Sequence, residues 1–397
     1  MESVIFWAEW LIYVFFALQV GYLFFFACLS LFPYKPKLKE GKSYSFGVLI
    51  PGYKEDRIII ETAEAALNHD YDKSLFRVVV LADQFQPNTI HRLRELGAEV
   101  LEVSFEHSTK AKSLNAGLEY LSSSPPEAIV VLDADNIITK GVLKQFSMSL
   151  NAGFKAIQAH RTAKNTHTPF SVLDAANEEI GNSIFRKGHR IAGLPSALIG
   201  SGMCFDFDLF KRLMSDIKDV AAEDKLLEIK LNAEGIVIEY LPNALVLDEK
   251  VANTQNFSKQ RTRWVGNQIF YLKHFFWDGV KHFFKTGKLG YLDKLIQFAL
   301  VFKVLLMGLL IPLGILDFIF QFSALKWDYL GLAMALSMLF AVPRNMYNLK
   351  LLGAVLQIPA AFFGMVKALS KVNKKTATHF EVTEKTASTD ESKRNLR

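Results

Sequence analysis

Long apolar runs stand at both ends of the chain, and a more polar stretch lies between them. From Val4 to Phe32 almost every residue is Phe, Leu, Ile, Val or Tyr, and Pro33 and several lysines follow at once. Such a run can cross about 30 Å of hydrocarbon, and it lacks the polar face of a buried helix in a soluble protein, which is the alternative. We predict an uncleaved membrane anchor over residues 1–33, with the N-terminus outside and the middle domain in the cytoplasm.

Further apolar stretches lie near the other end, at about residues 295–324, 328–343 and 348–369. They predict a membrane region over residues 293–370 with two to three crossings, followed by a polar tail over residues 371–397. Three full crossings would place the lysines that follow outside, against the positive-inside tendency. Either the tail departs from that tendency, or one stretch, such as the last with Pro359 at its centre, is re-entrant or interfacial.

Residues 266–292 interleave aromatic and basic side chains just before this region. The pattern predicts amphipathic helices in the headgroup layer, although a nucleic-acid surface is similar. The net charge is +6, and part of the excess lies in juxtamembrane lysines and arginines, which suit an anionic membrane surface. Because the chain shows no nucleic-acid module, we expect membrane lipid and no nucleic acid as a partner. The positions of Cys28 and Cys204 give no reason for pairing, which favours a reducing compartment.

Between residues 44 and 265, short β-branched runs alternate with helical patterns. This alternation predicts an α/β domain whose mostly parallel sheet carries helices on both faces. The predicted strands are Phe46–Ile50, Arg77–Leu81, Glu99–Val103, Ala128–Leu132 and Ala156–Gln158. Ligands of such sheets bind beyond the carboxyl ends of the strands, so the residues that follow each run are the candidates for a site.

Polar residues follow three of these strands. Pro51-Gly52-Tyr53-Lys54-Glu55 follows the first, Asp83 follows the second, and Asp133-Ala134-Asp135 follows the fourth. Two carboxylates one residue apart can hold a divalent cation and leave positions for phosphate oxygens, and that cation would offset the charge of a leaving diphosphate. By itself the Asp-x-Asp pattern is weak, because capping and turn aspartates follow many strands.

Other motifs in a fixed order make the pattern more specific. They are Lys110-Ala111-Lys112-Ser113-Leu114-Asn115 before the aspartates, then Gly200-Ser201-Gly202, Ala222-Glu223-Asp224 and Gln260-Arg261-Thr262-Arg263-Trp264. With these motifs and its membrane flanks, the chain from about Phe46 to Trp264 resembles the membrane-embedded glycosyltransferase family 2 enzymes. That group contains the cellulose, hyaluronan, chitin-oligosaccharide and poly-N-acetylglucosamine synthases.

The resemblance implies a Rossmann-like GT-A fold that binds a nucleotide-sugar donor, usually a UDP-sugar, and transfers the sugar with inversion. It implies Mg²⁺ or Mn²⁺ on Asp133 and Asp135, and it implies that Asp224 is the catalytic base. Ala82-Asp83-Gln84 replaces the usual Asp-Asp-Gly, which leaves the choice of nucleotide base open. The residues matched to donor binding are Tyr53, Glu55, Asp83, Lys110, Asp133 and Asp135.

The chemistry of an inverting transfer gives these residue types a role. A carboxylate must take the proton of the acceptor hydroxyl while a cation stabilises the departing diphosphate. Asp224 opens a helical pattern, Lys225–Ala233, that Gly235 closes, and a helix N-terminus favours the ionised form that a base needs. The alternative for Asp224 is an ordinary acid in the first turn of that helix.

The spacing of Gln260, Arg263 and Trp264 places them on one face of a helix. Arg261 is predicted to project from a different face. Trp264 can stack on an acceptor sugar, and Gln260 and Arg263 can bind the diphosphate or the acceptor. The alternative for Trp264 is a core or interfacial aromatic. Gly200-Ser201-Gly202 either lets the backbone approach the acceptor or is simply a loop.

The histidines add no metal site. We predict surface or capping roles for His160, His167 and His189, because their spacing is not that of metal ligands.

The sequence therefore predicts a membrane-embedded, metal-dependent, inverting glycosyltransferase that extends a growing polysaccharide or a glycolipid acceptor. The resemblance implies a bacterial inner-membrane protein with a cytoplasmic catalytic domain, and it leaves room for export or synthase partner subunits. The alternatives are a single-addition transferase with a lipid acceptor, and a non-catalytic membrane scaffold or nucleotide sensor.

Overall fold

The computed structural model describes residues 2–220, 222–250 and 254–371, so residues 372–397 of the predicted tail lie outside the described part. One sheet forms the centre of the middle domain. Its strands are β1 (Phe46–Tyr53), β2 (Phe76–Asp83), β3 (Glu99–Val103), β4 (Ala128–Val131), β5 (Ile137–Ile138), β6 (Ala156–Ala163), β7 (Met203–Asp206) and β8 (Ile238–Asp248).

The sheet is parallel on one side and mixed on the other. The strand order is β3-β2-β1-β4-β7-β6-β8-β5, and β1 to β4 run parallel as predicted. Strand β7 is antiparallel to both β4 and β6, β8 is parallel to β6, and β5 is antiparallel to β8. All the predicted strands are present, but β5, β7 and β8 were not predicted. Strand β5 has only two residues, and Pro242 and Asn243 interrupt the apolar pattern of β8.

Helices cover both faces of this sheet. The middle-domain helices are α2 (Ile59–Leu67), α3 (Pro87–Glu95), α4 (Lys110–Leu121), α5 (Val142–Asn151), α6 (Pro169–Gly181), α7 (His189–Ile191), α8 (Phe207–Met214) and α9 (Glu223–Glu234). The others are α1 (Glu2–Ser30), α10 (Thr254–Thr286), α11 (Leu289–Ala299), α12 (Lys303–Phe320), α13 (Trp327–Ala341), α14 (Leu349–Val355) and α15 (Ile358–Lys371). A π-helical segment, Asn182–Gly188, joins α6 to α7.

The core lies on the two faces of the sheet because successive strand residues point in opposite directions. Val48 and Val78 pack with α2, α3 and α5 on one face. Leu49 and Val79 pack with α4, α8 and α9 on the other. Burial on both faces explains why the parallel strands read as continuous apolar runs instead of alternating ones.

Two helices have the length and composition of membrane spans, Phe6–Ser30 within α1 and Lys303–Phe320 as α12. Helix α13 is apolar but shorter, and α14 meets α15 at a bend of 44°. That bent pair is either one broken span or a re-entrant loop. The bend lies beside Pro359, because a proline cannot continue the hydrogen bonding of a preceding helix.

Helix α1 packs closely against the middle domain. A Cβ atom on Gly188 would lie 2.5 Å from the carbonyl oxygen of Phe26, so glycine is needed for this approach. His189 is fully buried there; its ring stacks on Phe26 at 3.8 Å, and its Nε2 lies 2.8 Å from the Tyr22 hydroxyl. The prediction of a surface or capping role for His189 is therefore wrong, since α1, distant in sequence, covers it.

Helix α10 connects the sheet domain to the membrane region. It is continuous from Thr254 to Thr286, so the predicted boundary between residues 265 and 266 falls inside it. The Tyr271 hydroxyl donates a hydrogen bond to the carbonyl oxygen of Ala222 at 2.9 Å, directly before α9. The position of α10 is thereby tied to the N-terminus of α9.

Candidate active site

The carboxyl ends of β1 and β2 place Tyr53 beside Asp83, because these residues pair in the parallel register. Lys54 follows with a φ of +55°, and its backbone N–H donates to the carbonyl oxygen of Asp83 at 3.0 Å. This turn places Tyr53 and Glu55 at the same sheet edge as Asp83. The predicted nucleotide-contacting residues are thus neighbours in space.

Asp83 is a buried acid with few hydrogen-bond partners. The residue is 1% exposed, and neither carboxylate oxygen has a partner of good hydrogen-bond geometry within the described residues. Burial raises the pKa of this carboxyl, and the Ser108 side chain and the charge of Lys54 oppose that shift. A poorly partnered buried carboxylate destabilises a fold, so a ligand that donates a hydrogen bond here would reduce that cost.

Lys110 connects the motifs that follow in the sequence. It begins α4, which Thr109 caps by accepting a hydrogen bond from the Lys112 N–H. Lys110 Nζ donates to Asp133 Oδ1 at 2.6 Å and to the carbonyl oxygen of Gly200 at 2.5 Å, and it lies 3.2 Å from Glu223 Oε1. Burial lowers the pKa of this ammonium, but Asp133 and Glu223 outweigh burial and raise it above its usual value. Lys110 is therefore a fixed positive charge at the site.

Glu223 and Asp224 begin α9 as a buried acidic pair whose pKa values shift in opposite directions. Burial and the neighbouring Asp224 charge raise the pKa of Glu223, and Lys110 opposes that shift. Burial also acts to raise the pKa of Asp224, but Lys225 at 3.2 Å and Lys110 lower it below its usual value. Asp224 is thus the member of the pair that stays ionised at neutral pH, as a general base requires.

The glycine-containing loop supports the Asp133 turn. Ser201 Oγ accepts a hydrogen bond from the Asp133 backbone N–H at 2.9 Å. Gly200 and Gly202 have φ values of +85° and +64°, which side-chain-bearing residues adopt only with strain. A Cβ atom at Gly200 would lie 3.6 Å from an Asp224 carboxylate oxygen. The loop therefore brings its backbone close to both Lys110 and Asp224.

Asp135 belongs to a second hydrogen-bond network, which includes Asn136 and Asp248. Its side chain is 4% exposed, and Asn136 Nδ2 donates to Asp135 Oδ1 at 3.0 Å and to Asp248 Oδ1 at 2.8 Å. Asp248 is also paired with Lys250 at 2.5 Å. Arg161 lies 3.9 Å from Asp133 and 3.8 Å from Asp248, so it links the two networks.

Three residues at the site were not predicted as site residues from the sequence: Glu223, Arg161 and Asp248. A signal was present for Asp248, because it is the polar last residue of the mostly apolar strand β8, as Asp83 is the last residue of β2. Arg161 gave no such signal, since it lies within β6 and reaches the site only through strand pairing.

The motif on α10 divides between two environments. Arg263 faces the acidic cluster; burial lowers the pKa of its guanidinium, and the nearby charges of Glu223 and Asp133 oppose that shift. Arg261 donates to Asp174 Oδ1 at 2.6 Å and lies over the Trp264 ring at 4.0 Å. The prediction that Arg261 projects away from this face is wrong, because its guanidinium stacks on Trp264. Gln260 Oε1 is buried without a hydrogen-bond partner in the described part of the chain.

The predicted metal ligands supply two carboxylates at most. Across residues 2–220, 222–250 and 254–371, no group of three or more His, Cys, Asp or Glu side chains is placed to hold a metal ion. Mg²⁺ sites commonly use one or two carboxylates and complete the shell with substrate phosphates and water. Asp133 and Asp135 have the carboxylate chemistry of such a site, and in this structure Asp133 pairs with Lys110 while Asp135 accepts a hydrogen bond from Asn136.

Comparisons with known proteins point to one family. A family model described as "Glycosyltransferase like family 2" matches residues 44–267, more than half of the chain. A probable glycosyltransferase of Bacillus subtilis, YdaM, is 23% identical over 76% of this chain and 72% of its own. The poly-beta-1,6-N-acetyl-D-glucosamine synthase of Staphylococcus aureus is 23% identical over 61% of this chain. That match spans 59% of the synthase, less than two thirds of its length.

Among solved structures, the mannosyltransferase PcManGT of Pyrobaculum calidifontis, in complex with GDP-Man and Mn²⁺, is similar with a TM-score of 0.51. The similarity covers 87% of this chain and 97% of that one at 17% identity, which shows the fold alone. Together with the family model, it confirms the predicted α/β GT-A fold.

Proposed function

The chain belongs to glycosyltransferase family 2, and from that premise we propose an inverting, divalent-metal-dependent transfer from a nucleotide-sugar to a glycan or glycolipid acceptor at a membrane. The UDP-sugars are the donors proposed first. The membrane setting rests on the two span-like helices, and the bacterial inner membrane, with the catalytic domain in the cytoplasm, is proposed from the curated bacterial relatives.

The cluster around Lys110 is the observation that carries this proposal. In it the Lys110 ammonium lies within hydrogen-bond or ion-pair distance of Asp133 and Glu223, which belong to two other motifs far along the chain. Lys225 and Lys110 lower the pKa of Asp224 beside this cluster and so keep its carboxylate ionised. A general base needs such an ionised carboxylate, whereas a non-catalytic scaffold does not.

In the proposed reaction, the acceptor hydroxyl attacks the anomeric carbon opposite the diphosphate. A new glycosidic bond forms, the bond between the sugar and the diphosphate breaks, and Asp224 takes the hydroxyl proton. Arg263, which is close enough to feel the charges of Glu223 and Asp133, would bind the departing diphosphate. A divalent cation on Asp133 and Asp135 would neutralise charge on that diphosphate.

We assign recognition of the nucleotide base to Asp83 and Tyr53. The buried carboxylate of Asp83 has no partner of good hydrogen-bond geometry in the described residues, and the N–H group of uracil or guanine would supply a donor. Because the similar mannosyltransferase was solved with GDP-Man, GDP-sugars belong in the donor panel beside UDP-sugars.

We assign acceptor binding to Trp264 and Gln260 on α10 and to the Gly200-Ser201-Gly202 loop. Trp264 is only partly buried, so a sugar ring can stack on the face that Arg261 leaves open. Product length separates the two acceptor classes: a polymer synthase gives a ladder of products, and a single-addition enzyme gives one glycolipid.

The test uses the full-length protein in nanodiscs, a panel of UDP- and GDP-sugars, and Mg²⁺ or Mn²⁺. We expect nucleoside diphosphate release with one donor, its loss in Asp224→Asn, and glycan products visible by mass spectrometry. Failure of every donor to bind would contradict the proposal and favour the scaffold. Donor binding without turnover would place the missing component on the acceptor side or in a partner subunit.

A further inference from the structure

A partly open, mostly apolar cavity of about 200 Å³ lies between the middle domain and the span-like helices. Leu23 of α1, Val304 of α12 and Met365 of α15 form its apolar walls, and Trp264 of α10 forms another. Sites that enclose a drug-sized ligand measure roughly 300–1,000 Å³. This cavity is therefore too small for a nucleotide-sugar or a length of glycan, but it suits a head group and the beginning of a hydrocarbon chain.

The polar side of the cavity is positively charged. Lys303 lines it; its Nζ donates to the backbone carbonyl oxygen of Asn177 at 3.1 Å and lies 5.5 Å from the centre of the Phe185 ring. Arg261 lines it as well, but its charge is matched by Asp174 at 2.6 Å. Within the described residues, Lys303 has no carboxylate at ion-pair distance. A cation next to an apolar cavity and without a counter-charge is costly to maintain.

A second cation approaches the same place. A Cβ atom on Gly181 would lie 3.5 Å from Arg186 Nη1 and 3.9 Å from Lys303 Nζ. Arg186 is 5% exposed, and its Nε has no hydrogen-bond partner in the part of the chain described here. Asn182 accepts a hydrogen bond from Arg186 at 3.0 Å and separates it from the Glu179 carboxylate. Burial lowers the pKa of Arg186 to about 10, which leaves it charged at neutral pH.

We propose that this cavity binds the phosphate-bearing head of a membrane lipid, with the phosphate at Lys303 and Arg186 and the hydrocarbon chain against Leu23, Val304 and Met365. Lys303 and Arg261 line the cavity and Asp174 matches Arg261, while Arg186 adds a further positive charge beside Gly181. A phosphate monoester, with a charge of about −1.5 to −2, would stabilise the charged form of Lys303 more than a diester does. The occupant is a lipid because the apolar walls come from helices of the membrane region.

The lipid would lie beside the proposed acceptor residues without using the donor site. Trp264 forms a cavity wall, and Arg263, the preceding residue on α10, faces the acidic cluster. Binding of the lipid is measured without donor, so this inference and the proposed reaction can fail independently.

The experiment compares the full-length protein in phosphatidylcholine nanodiscs with and without phosphatidic acid, the probe monoester, and with inorganic phosphate. The readouts are the thermal unfolding midpoint and the lipid retained in native mass spectrometry. We expect phosphatidic acid to raise the midpoint and to be retained, and inorganic phosphate to do neither. Lys303→Met should weaken phosphatidic acid binding by about tenfold or more, because a charge-assisted contact is lost.

One control removes a positive charge far from the cavity, and the other keeps the positive charge at position 303. Lys285→Met removes an exposed lysine of α10 and should bind as the wild type does, and Lys303→Arg should retain binding. In phosphatidylcholine alone, Lys303→Met should be at least as stable as the wild type, because it loses a cation without a counter-charge. If Lys303→Met unfolds, Val304→Phe tests the same site by narrowing the cavity with both cations present.

Two results would overturn the inference. Equal stabilisation of wild type and Lys303→Met by phosphatidic acid would mean that the lipid acts on the general surface charge. An equal effect of inorganic phosphate and phosphatidic acid would mean a site for free phosphate, with no lipid involved.

Discussion

Replacing Asp224 by Asn should abolish sugar transfer while donor binding persists. The change removes the ionised carboxylate that Lys225 holds at 3.2 Å and keeps its shape. A positioned general base contributes roughly 10²–10⁴-fold in rate, or about 3–5 kcal/mol of transition-state stabilisation. The matched control is Glu223→Gln, which mimics the protonated form that the raised pKa of Glu223 favours. Because Glu223 also pairs with Lys110 at 3.2 Å, we expect the control to raise the donor KM more than it lowers kcat.

The assay measures initial rates of nucleoside diphosphate release against donor concentration over a range of pH. Because Lys225 and Lys110 hold the pKa of Asp224 below the ordinary range of an aspartate, the acid limb of kcat/KM due to this group should appear at lower pH than an ordinary aspartate would give. Near-normal turnover in Asp224→Asn would show that the base is elsewhere. An equal or larger loss of kcat in Glu223→Gln would refute the assignment of the two roles.

Three further changes test other parts of the structure. Lys110→Met leaves Asp133 and Glu223 without their buried cation and should lower the free energy of unfolding at neutral pH by about 3–5 kcal/mol; the loss should shrink at acidic pH, as denaturant titrations would show. Asp83 has a folded pKa above its unfolded one, so its ionisation opposes folding as pH rises, and Asp83→Asn should raise the melting temperature at neutral pH while weakening nucleotide binding in calorimetry. Gly188→Ala places a Cβ atom 2.5 Å from the carbonyl oxygen of Phe26 and should cost about 1–3 kcal/mol in thermal unfolding, whereas Gly353→Ala, with nothing within 4 Å, should not.

The sequence determined the features that depend on local pattern. The apolar runs of β1, β2 and β4 and the residues after them located the sheet edge, because burial on both faces leaves a continuous apolar signal. Helix α9 is a further case: its pattern was predicted over Lys225–Ala233 with Gly235 as its end, and Gly235 ends it with a φ of +74°. The order of the motifs was enough to predict the GT-A fold that the comparisons confirm.

Only the tertiary structure decided features that depend on contacts between distant segments. His189 is buried because α1 packs over Gly188, and Glu223 joins the site because α4 brings Lys110 to it. The antiparallel strand β7 and the long strand β8 form through pairing with β4 and β6, which short apolar runs do not specify. The physical reason is common to these cases: a local pattern fixes which face of an element is buried, but the partner that buries it is chosen by packing across the whole chain.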